Sequence, residues 1–296
     1  MSSFAYKAKN EICRTQLSRQ CCARAEAYGV LLYCNTFTPS EVRIITENPE
    51  FAARLPKLFH KAFSLKFDQL PEKDGRGKLI FRITDRDKLA RIINTLGYDP
   101  RQIMVLHVNF GLLEDDCCRT AFLRGAFLAG GSVTDPEKRY HLELSTTHLK
   151  VVRETDTLMQ EMNLAPKQTE RKGSGVLYYK QSDSIEDFLT CVGAPVSAMA
   201  VMQAKIEKDW RNEANRKTNC DTANVSKAVD AAQQQLAVLR RLEKCGILET
   251  LNDKLSQTAK LRREHPEATL AELAELHEPP TTKSTVNHRM RKLMAL

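Results

Sequence analysis

No apolar run in this chain approaches the roughly 18 residues needed to cross a bilayer. The longest stretch, Cys191 to Met202, is broken by Gly193, Pro195 and Ser197. The opening residues, Phe4-Ala5-Tyr6-Lys7-Ala8-Lys9, hold neither an apolar core nor a small-residue cleavage site, so no secretion signal is expected. Membrane and secreted classes are excluded on these grounds, and a cytoplasmic location is expected. C-x-x-C spacing is also lacking, although the chain has nine cysteines. Their odd number prevents a complete disulfide framework, and an unsecreted protein keeps its thiols reduced. Cys21-Cys22 and Cys117-Cys118 are adjacent pairs, a poor spacing for a zinc knuckle. The sequence therefore predicts small buried hydrophobes at these positions, with no metal and no cofactor.

Positive charge is in moderate excess. The 296 residues carry 45 Lys+Arg against 37 Asp+Glu, a net charge of +8, which favours a polyanionic partner without identifying one. The length suggests two domains, because single cores usually stop growing before this size.

The cysteine pairs also mark an internal repeat. Cys21-Cys22-Ala23-Arg24-Ala25-Glu26-Ala27-Tyr28-Gly29-Val30-Leu31-Leu32 aligns with Cys117-Cys118-Arg119-Thr120-Ala121-Phe122-Leu123-Arg124-Gly125-Ala126-Phe127-Leu128, 96 positions later. Both segments have a helical pattern. A strand follows each, at Glu41 to Ile45 and Arg139 to Leu144. Pro49 opens a helix to about Phe63, and Thr146-Thr147 is expected to cap its counterpart, which runs to about Met162. Hairpins come next: Leu65 to Leu70 with Lys78 to Ile83 across Gly75-Arg76-Gly77, and Lys167 to Arg171 with Val176 to Lys180 across Gly173-Ser174-Gly175. Helices Asp85 to Leu96 and Ser184 to Val192 close the halves, ending at Gly97 and Gly193, again 96 apart.

Gly29 and Gly125 lack a Cβ and would let the two repeated helices approach closely about a pseudo-two-fold axis. Tyr28-Gly29-Val30-Leu31-Leu32-Tyr33-Cys34 and Arg124-Gly125-Ala126-Phe127-Leu128-Ala129-Gly130-Gly131 resemble the central helices of the LAGLIDADG homing endonucleases. The resemblance implies that these helices form the interface, with a curved sheet on each side saddling DNA. Nucleases of that family carry acids at the foot of each helix to hold the metal ions that cut DNA, because such ions need hard oxygen ligands. Leu32 and Cys34 in one half, and Leu128 and Gly130 in the other, stand at those positions. Asp135 precedes Pro136 and reads as a turn residue, with a displaced ligand as its alternative role. Asp115 and Asp116 read as helix N-terminal residues. No catalytic residue is assigned.

Pro195 starts a long amphipathic helix through Met199, Met202, Ile206 and Trp210, and its polar end, Arg211 to Asn224, cannot bury a core. That stretch can be read as a solvated linker or as a phosphate contact. Beyond it the chain is helical by pattern: one helix to Cys245 with Gly246 as stop, a second over about Asn252 to His265, and a third, Leu270 to Leu276, capped by Thr269. After Glu278-Pro279-Pro280 comes a last helix to about Leu293. Short helix, tight turn and basic helix is the helix-turn-helix layout. Val286, Met290 and Leu293 are expected to pack on Leu270, Leu273 and Leu276. No acid follows Glu278. Lys283, Ser284, Asn287 and His288 are assigned to base edges, and Thr281, Thr282, Arg289, Arg291 and Lys292 to the DNA backbone. The bland alternatives are a solvated basic helix or a protein-binding helical module.

The organisation expected is an α+β domain over 1–210 with an internal pseudo-two-fold duplication (halves about 1–110 and 111–210). A polar linker over 211–223 and an all-α helix-turn-helix domain over 224–296 complete it. Across nearly its whole length the chain resembles the WhiA sporulation and cell-division regulators of Gram-positive bacteria. Its most specific matches are Ala121 to Val133, Asn215 to Asn224 and Pro279 to Leu293. The resemblance implies a degenerate LAGLIDADG-type domain without nuclease activity, joined to a helix-turn-helix similar to region 4 of bacterial sigma factors. It further implies a nucleoid-associated transcription regulator of sporulation, cell division and chromosome segregation. Double-stranded DNA is the partner expected, with another transcription regulator or RNA polymerase as a second. Bipartite DNA binding is the reading taken; a divergent metal-dependent endonuclease and a protein-binding adaptor of the transcription machinery are the alternatives.

Overall fold

The computed structural model describes residues 3–72, 77–98 and 105–296. It divides into one unit up to Lys208 and a second, Asp209–Leu296.

In the first unit α1 (Phe4–Cys13) precedes two similar halves. The first half runs α2 (Gln20–Tyr33), β1 (Thr36–Phe37), β2 (Val42–Thr46), α3 (Pro49–Phe63), β3 (Leu79–Ile83) and α4 (Arg86–Thr95). The second runs α5 (Asp116–Gly130), β4 (Gly131–Val133), β5 (Leu142–Thr146), α6 (Leu149–Glu161), β6 (Lys167–Arg171), β7 (Ser174–Tyr179) and α7 (Ser182–Val192). Each half builds an antiparallel sheet, ordered β1-β2-β3 and β4-β5-β7-β6.

The two halves meet along α2 and α5. A Cβ on Gly29 would stand 2.0 Å from the Phe122 carbonyl oxygen, and one on Gly125 would stand 2.0 Å from that of Glu26. The next neighbours are the amide nitrogens of Ala126 and Val30, at 2.8 and 2.9 Å. Each of these approaches is the other's mate in the repeat, so the backbones touch symmetrically at two points where only glycine fits. The seam is dry: Ala25 to Tyr33 is buried without interruption, and so are Ala121 to Leu123 and Ala126 to Leu128.

Local signals explain most element ends. Pro49 occupies the first turn of α3, where a missing N–H costs nothing, and the Asn48 side chain accepts from Phe51 N at 3.0 Å. Asp85 caps α4 through the amides of Asp87 and Lys88. Gly193 ends α7 with a φ of 98°.

Several sequence expectations change. Thr146 does not cap α6; it lies in β5, and its Oγ1 donates to Leu32 O at 2.9 Å, while His148 takes the cap position without a side-chain bond. The second hairpin turns on Lys172-Gly173, both at positive φ, because Arg171 pairs with Ser174. In the first half, residues 65–70 make only a bridge, Gln69 with Arg82. Gly75 and Arg76 of the expected turn lie outside the described residues. Asp115 stands at the α5 N-cap without a side-chain cap bond. Asp135 is a turn residue, accepting from Glu137 N at 3.1 Å.

α8 (Pro195–Lys244) supplies residues to both units. Its stretch 211–223, expected as a linker, is helical and exposed throughout. It contains no Pro or Gly to break the helix, so side chains that cannot bury a core still continue it. Within the second unit, a 3-10 turn (Ile247–Thr250) leads to α9 (Asp253–Glu264), α10 (Leu270–Glu275) and α11 (Lys283–Met294). Among the described residues no helix is long and apolar enough to cross a membrane.

Candidate nucleic-acid interface

The second unit has a small core made of Leu239, Leu242, Ala259, Leu273, Ala274, Val286, Met290 and Leu293. Val286, Met290 and Leu293 give α11 one buried stripe, as expected. Leu273 receives it, with Leu270 partly buried beside it. Leu276 does not: it is 43% exposed at the α10 C-cap, while Ala274 is buried in this core.

Two caps set the helices. Thr269 and Glu272 form a reciprocal capping box on α10: Glu272 N donates to Thr269 Oγ1 at 3.2 Å, and Thr269 N donates to Glu272 Oε2 at 2.6 Å. Thr282 caps α11, accepting from Thr285 N at 3.2 Å. The connecting turn is tied down by Thr281 N donating to Ala274 O at 2.9 Å. Behind the turn, buried His277 meets Thr258 Oγ1 at 2.9 Å and Leu273 O at 2.7 Å. Buried Arg262 donates to Ala268 O at 2.5 Å, and burial lowers its pKa. These two buried polar side chains do not stand out in the sequence, where each looks like one more exposed charge or a lone His.

The nine sequence-assigned residues fall as follows. Thr282, Lys283, Ser284, His288, Arg291 and Lys292 are exposed, and Thr281, Asn287 and Arg289 are half-buried. Helical spacing places Ser284, His288 and Arg291 on the face opposite the buried stripe, with Asn287 on its flank and Lys283 in the first turn, beside the stripe. Lys292 lies at one edge of that face, and Arg289 is turned towards the flank. Among the described residues no ion pair engages Lys283, Arg289, Arg291 or Lys292. By contrast Arg263 on α9 is bound to Glu243 at 2.6 Å. Thr281 and Thr282 hold the turn and the cap, so part of their hydrogen-bonding capacity is already used.

Two of the four cations in the described strands of the first unit, Arg82 and Arg171, are in ion pairs. Arg82 reaches Glu41 at 3.6 Å, and Arg171 reaches Glu143 at 3.1 Å, with His141 on the same carboxylate. At the foot of the central helices Leu32 and Leu128 are buried. Cys34 Sγ turns back to Leu31 O and Thr36 O. A Cβ at Gly130 would meet Ser145 O at 2.6 Å and the Tyr33 ring at 3.0 Å. An acidic side chain has no room there.

Known proteins share both units. Residues 119–211 match the model of the WhiA LAGLIDADG-like domain, and residues 214–296 that of the WhiA C-terminal HTH domain. A probable cell division protein WhiA of Alkaliphilus metalliredigens is 36% identical, covering 98% of this chain and 96% of its own. One of Ruminiclostridium cellulolyticum is likewise 36% identical, with the same coverage. The crystal structure of full-length WhiA from Thermatoga maritima shares the fold with a TM-score of 0.60 at 20% identity, over 99% of this chain and 97% of that one.

Proposed function

The chain belongs to the WhiA family, and from that premise we propose that it is a sequence-specific DNA-binding transcription regulator without nuclease activity. It acts in cell division and chromosome segregation, and in sporulation where the cell sporulates. Its place is the cytoplasm, on the nucleoid. The observation that carries this reading is the solvent face of α11. Four cations without ion-pair partners among the described residues flank Ser284, Asn287 and His288 on a capped helix whose other side is buried. Such a helix can put its first turns against base edges and its cations against phosphates. Asn287 has the two-pronged donor and acceptor that adenine accepts, and Lys283 can donate to guanine.

The domains proposed remain 1–210, the connecting stretch 211–223, and 224–296. The first unit contributes through its sheets, and tethering two binding modules raises affinity by effective concentration. The lack of room for an acid at Gly130 supports the absence of phosphodiester cleavage.

The test is selection from a random duplex library with the full chain and its Asn287→Ala variant. The full chain should enrich one short motif, and the variant should lose about 1–3 kcal/mol and relax one position of it. An unchanged motif with both Asn287→Ala and Lys283→Ala would place the reading outside α11. Supercoiled plasmid incubated with the protein and Mg²⁺ should stay uncut; nicking would restore the endonuclease reading.

A further inference from the structure

The two cysteine pairs are not separate fillers. Cys21 and Cys22 are the second and third residues of α2, and Cys117 and Cys118 hold the same places in α5. Because the central helices pack about a pseudo-two-fold axis, their first turns meet. The four Sγ atoms lie within 4.8 Å of one another, with Cys21 and Cys22 4.0 Å apart. All four are free thiols. Cys118 is buried, Cys22 and Cys117 are half-buried and Cys21 is exposed, which corrects the expectation of four buried side chains.

From this geometry we propose that the four cysteines form a structural Zn²⁺ site that ties the two halves of the first unit together at the head of their central helices. A tetrahedral ion with Zn–S bonds of about 2.3 Å needs sulfurs about 3.8 Å apart. The observed cluster has to contract by no more than about 1 Å to reach that spacing. Sulfurs this close surround a single ion; a cluster with its own inorganic sulfides has to fit between its ligands and needs them farther apart. Four thiolates are soft donors, which select Zn²⁺ over Mg²⁺ or Ca²⁺.

The surroundings suit the charge. Zn²⁺ with four thiolates carries a net charge of −2. The N-termini of α2 and α5 both point at the site, each contributing roughly half a positive charge. Arg19, at the α2 N-cap, places a guanidinium nitrogen 3.9 Å from Cys117 Sγ. Neither pair alone has the spacing of a zinc site along one segment. Here each pair supplies two ligands, and the duplication brings the pairs together.

The full chain, purified under reducing conditions, should hold one Zn²⁺ per molecule. Co²⁺ exchanged into it should give thiolate-to-metal charge transfer and the visible bands of a tetrahedral site. Cys21→Ser removes an exposed thiol, and Cys117→Ser a half-buried one. Each should weaken metal retention against a chromogenic chelator at least tenfold with the far-ultraviolet circular dichroism unchanged. Cys220→Ser and Cys245→Ser, both exposed and outside the cluster, should bind as the parent does. A reduced, folded chain that takes up no more Zn²⁺ or Co²⁺ than the fourfold Ser variant overturns the proposal. So does a peptide map showing stoichiometric disulfides between the two pairs in a chain that binds no metal after reduction.

Discussion

Arg54 closes its guanidinium on Glu26 inside the first unit, with Nε 2.6 Å from Oε1 and the second hydrogen bond at 2.9 Å, both side chains buried. Nη1 of Arg54 donates to Cys13 O at 3.0 Å and Thr15 O at 2.6 Å, binding the end of α1 and the residues after it to α2 and α3. The mate of Glu26 in the repeat is Phe122, so this ion pair exists in one half only. Here the duplication has diverged in chemistry while keeping its backbone.

Removing Arg54 leaves a buried carboxylate with a single partner, Arg124, 3.5 Å away. Breaking a buried pair typically costs about 3–5 kcal/mol, and the residual partner puts Arg54→Ala near the lower end, about 3 kcal/mol. Hydrogen exchange of α2 amides against denaturant reads this loss. Adding Glu26→Gln should recover part of it, because a neutral amide is cheaper to bury than an unpaired charge. If the double variant is no more stable than the single one, the uncompensated charge is not the cause.

The glycine pair makes a sharper contrast. Gly125→Ala drives a methyl group to 2.0 Å from a backbone oxygen of the facing helix, which no rotamer can relieve. The helices must separate, at a cost of about 3 kcal/mol or more. Gly173→Ala meets nothing within 4 Å and carries only the strain of its φ of 78°, about 1–2 kcal/mol. Thermal unfolding of the two variants should rank them in that order. Equal losses would mean that α2 and α5 are not in backbone contact.

Much of this is legible from the chain. The 96-residue repeat, the glycines at its centre, Pro49 at the head of α3 and the basic stripe of α11 are local patterns, and local patterns survive in sequence. The rest depends on what folding brings together. Thr146 reads as a cap because Thr commonly caps, but the β5 register sends its hydroxyl to Leu32 O. Leu276 reads as core by spacing alone, yet α10 ends at Glu275 and leaves it exposed. The burial of Arg262 and His277 needs the turn after α10, which pattern does not reveal. Likewise the cysteine cluster needs two segments 96 residues apart, each uninformative by itself.

The capping box on α10 makes the second unit sensitive to acid. Hydrogen bonds with the Thr269 backbone and side chain hold the Glu272 carboxyl below its ordinary pKa of 4.5. A folded-state pKa below the unfolded value means that the unfolded chain takes up its proton first as pH falls. The stabilisation is therefore complete above about pH 4.5 and is lost as pH drops through the lower folded value. Exchange protection of α10 and α11 should fall in that window for the parent. Glu272→Gln should flatten this part of the profile, and an unchanged profile would remove the box from the account.

Salt dependence separates the cations that meet phosphate from those occupied elsewhere. Each phosphate neutralised by a protein cation releases counterions, so the slope of log affinity against log salt falls by about one for every phosphate that loses its cation. Lys292 and Arg291 are exposed on α11 without an ion-pair partner among the described residues, so Lys292→Ala and Arg291→Ala should each lower the slope by about one. They should do so for specific and random duplexes alike, because phosphates carry no sequence. Arg263 is a cation of the same unit, but its guanidinium is held by Glu243 at 2.6 Å. Its loss removes a charge already balanced, so Arg263→Ala should leave the slope unchanged. Filter binding or anisotropy across a salt series would measure all three. If Arg263→Ala shifts the slope as much as Lys292→Ala does, the DNA backbone runs along α9 as well as α11, and the face assigned to phosphate is too narrow.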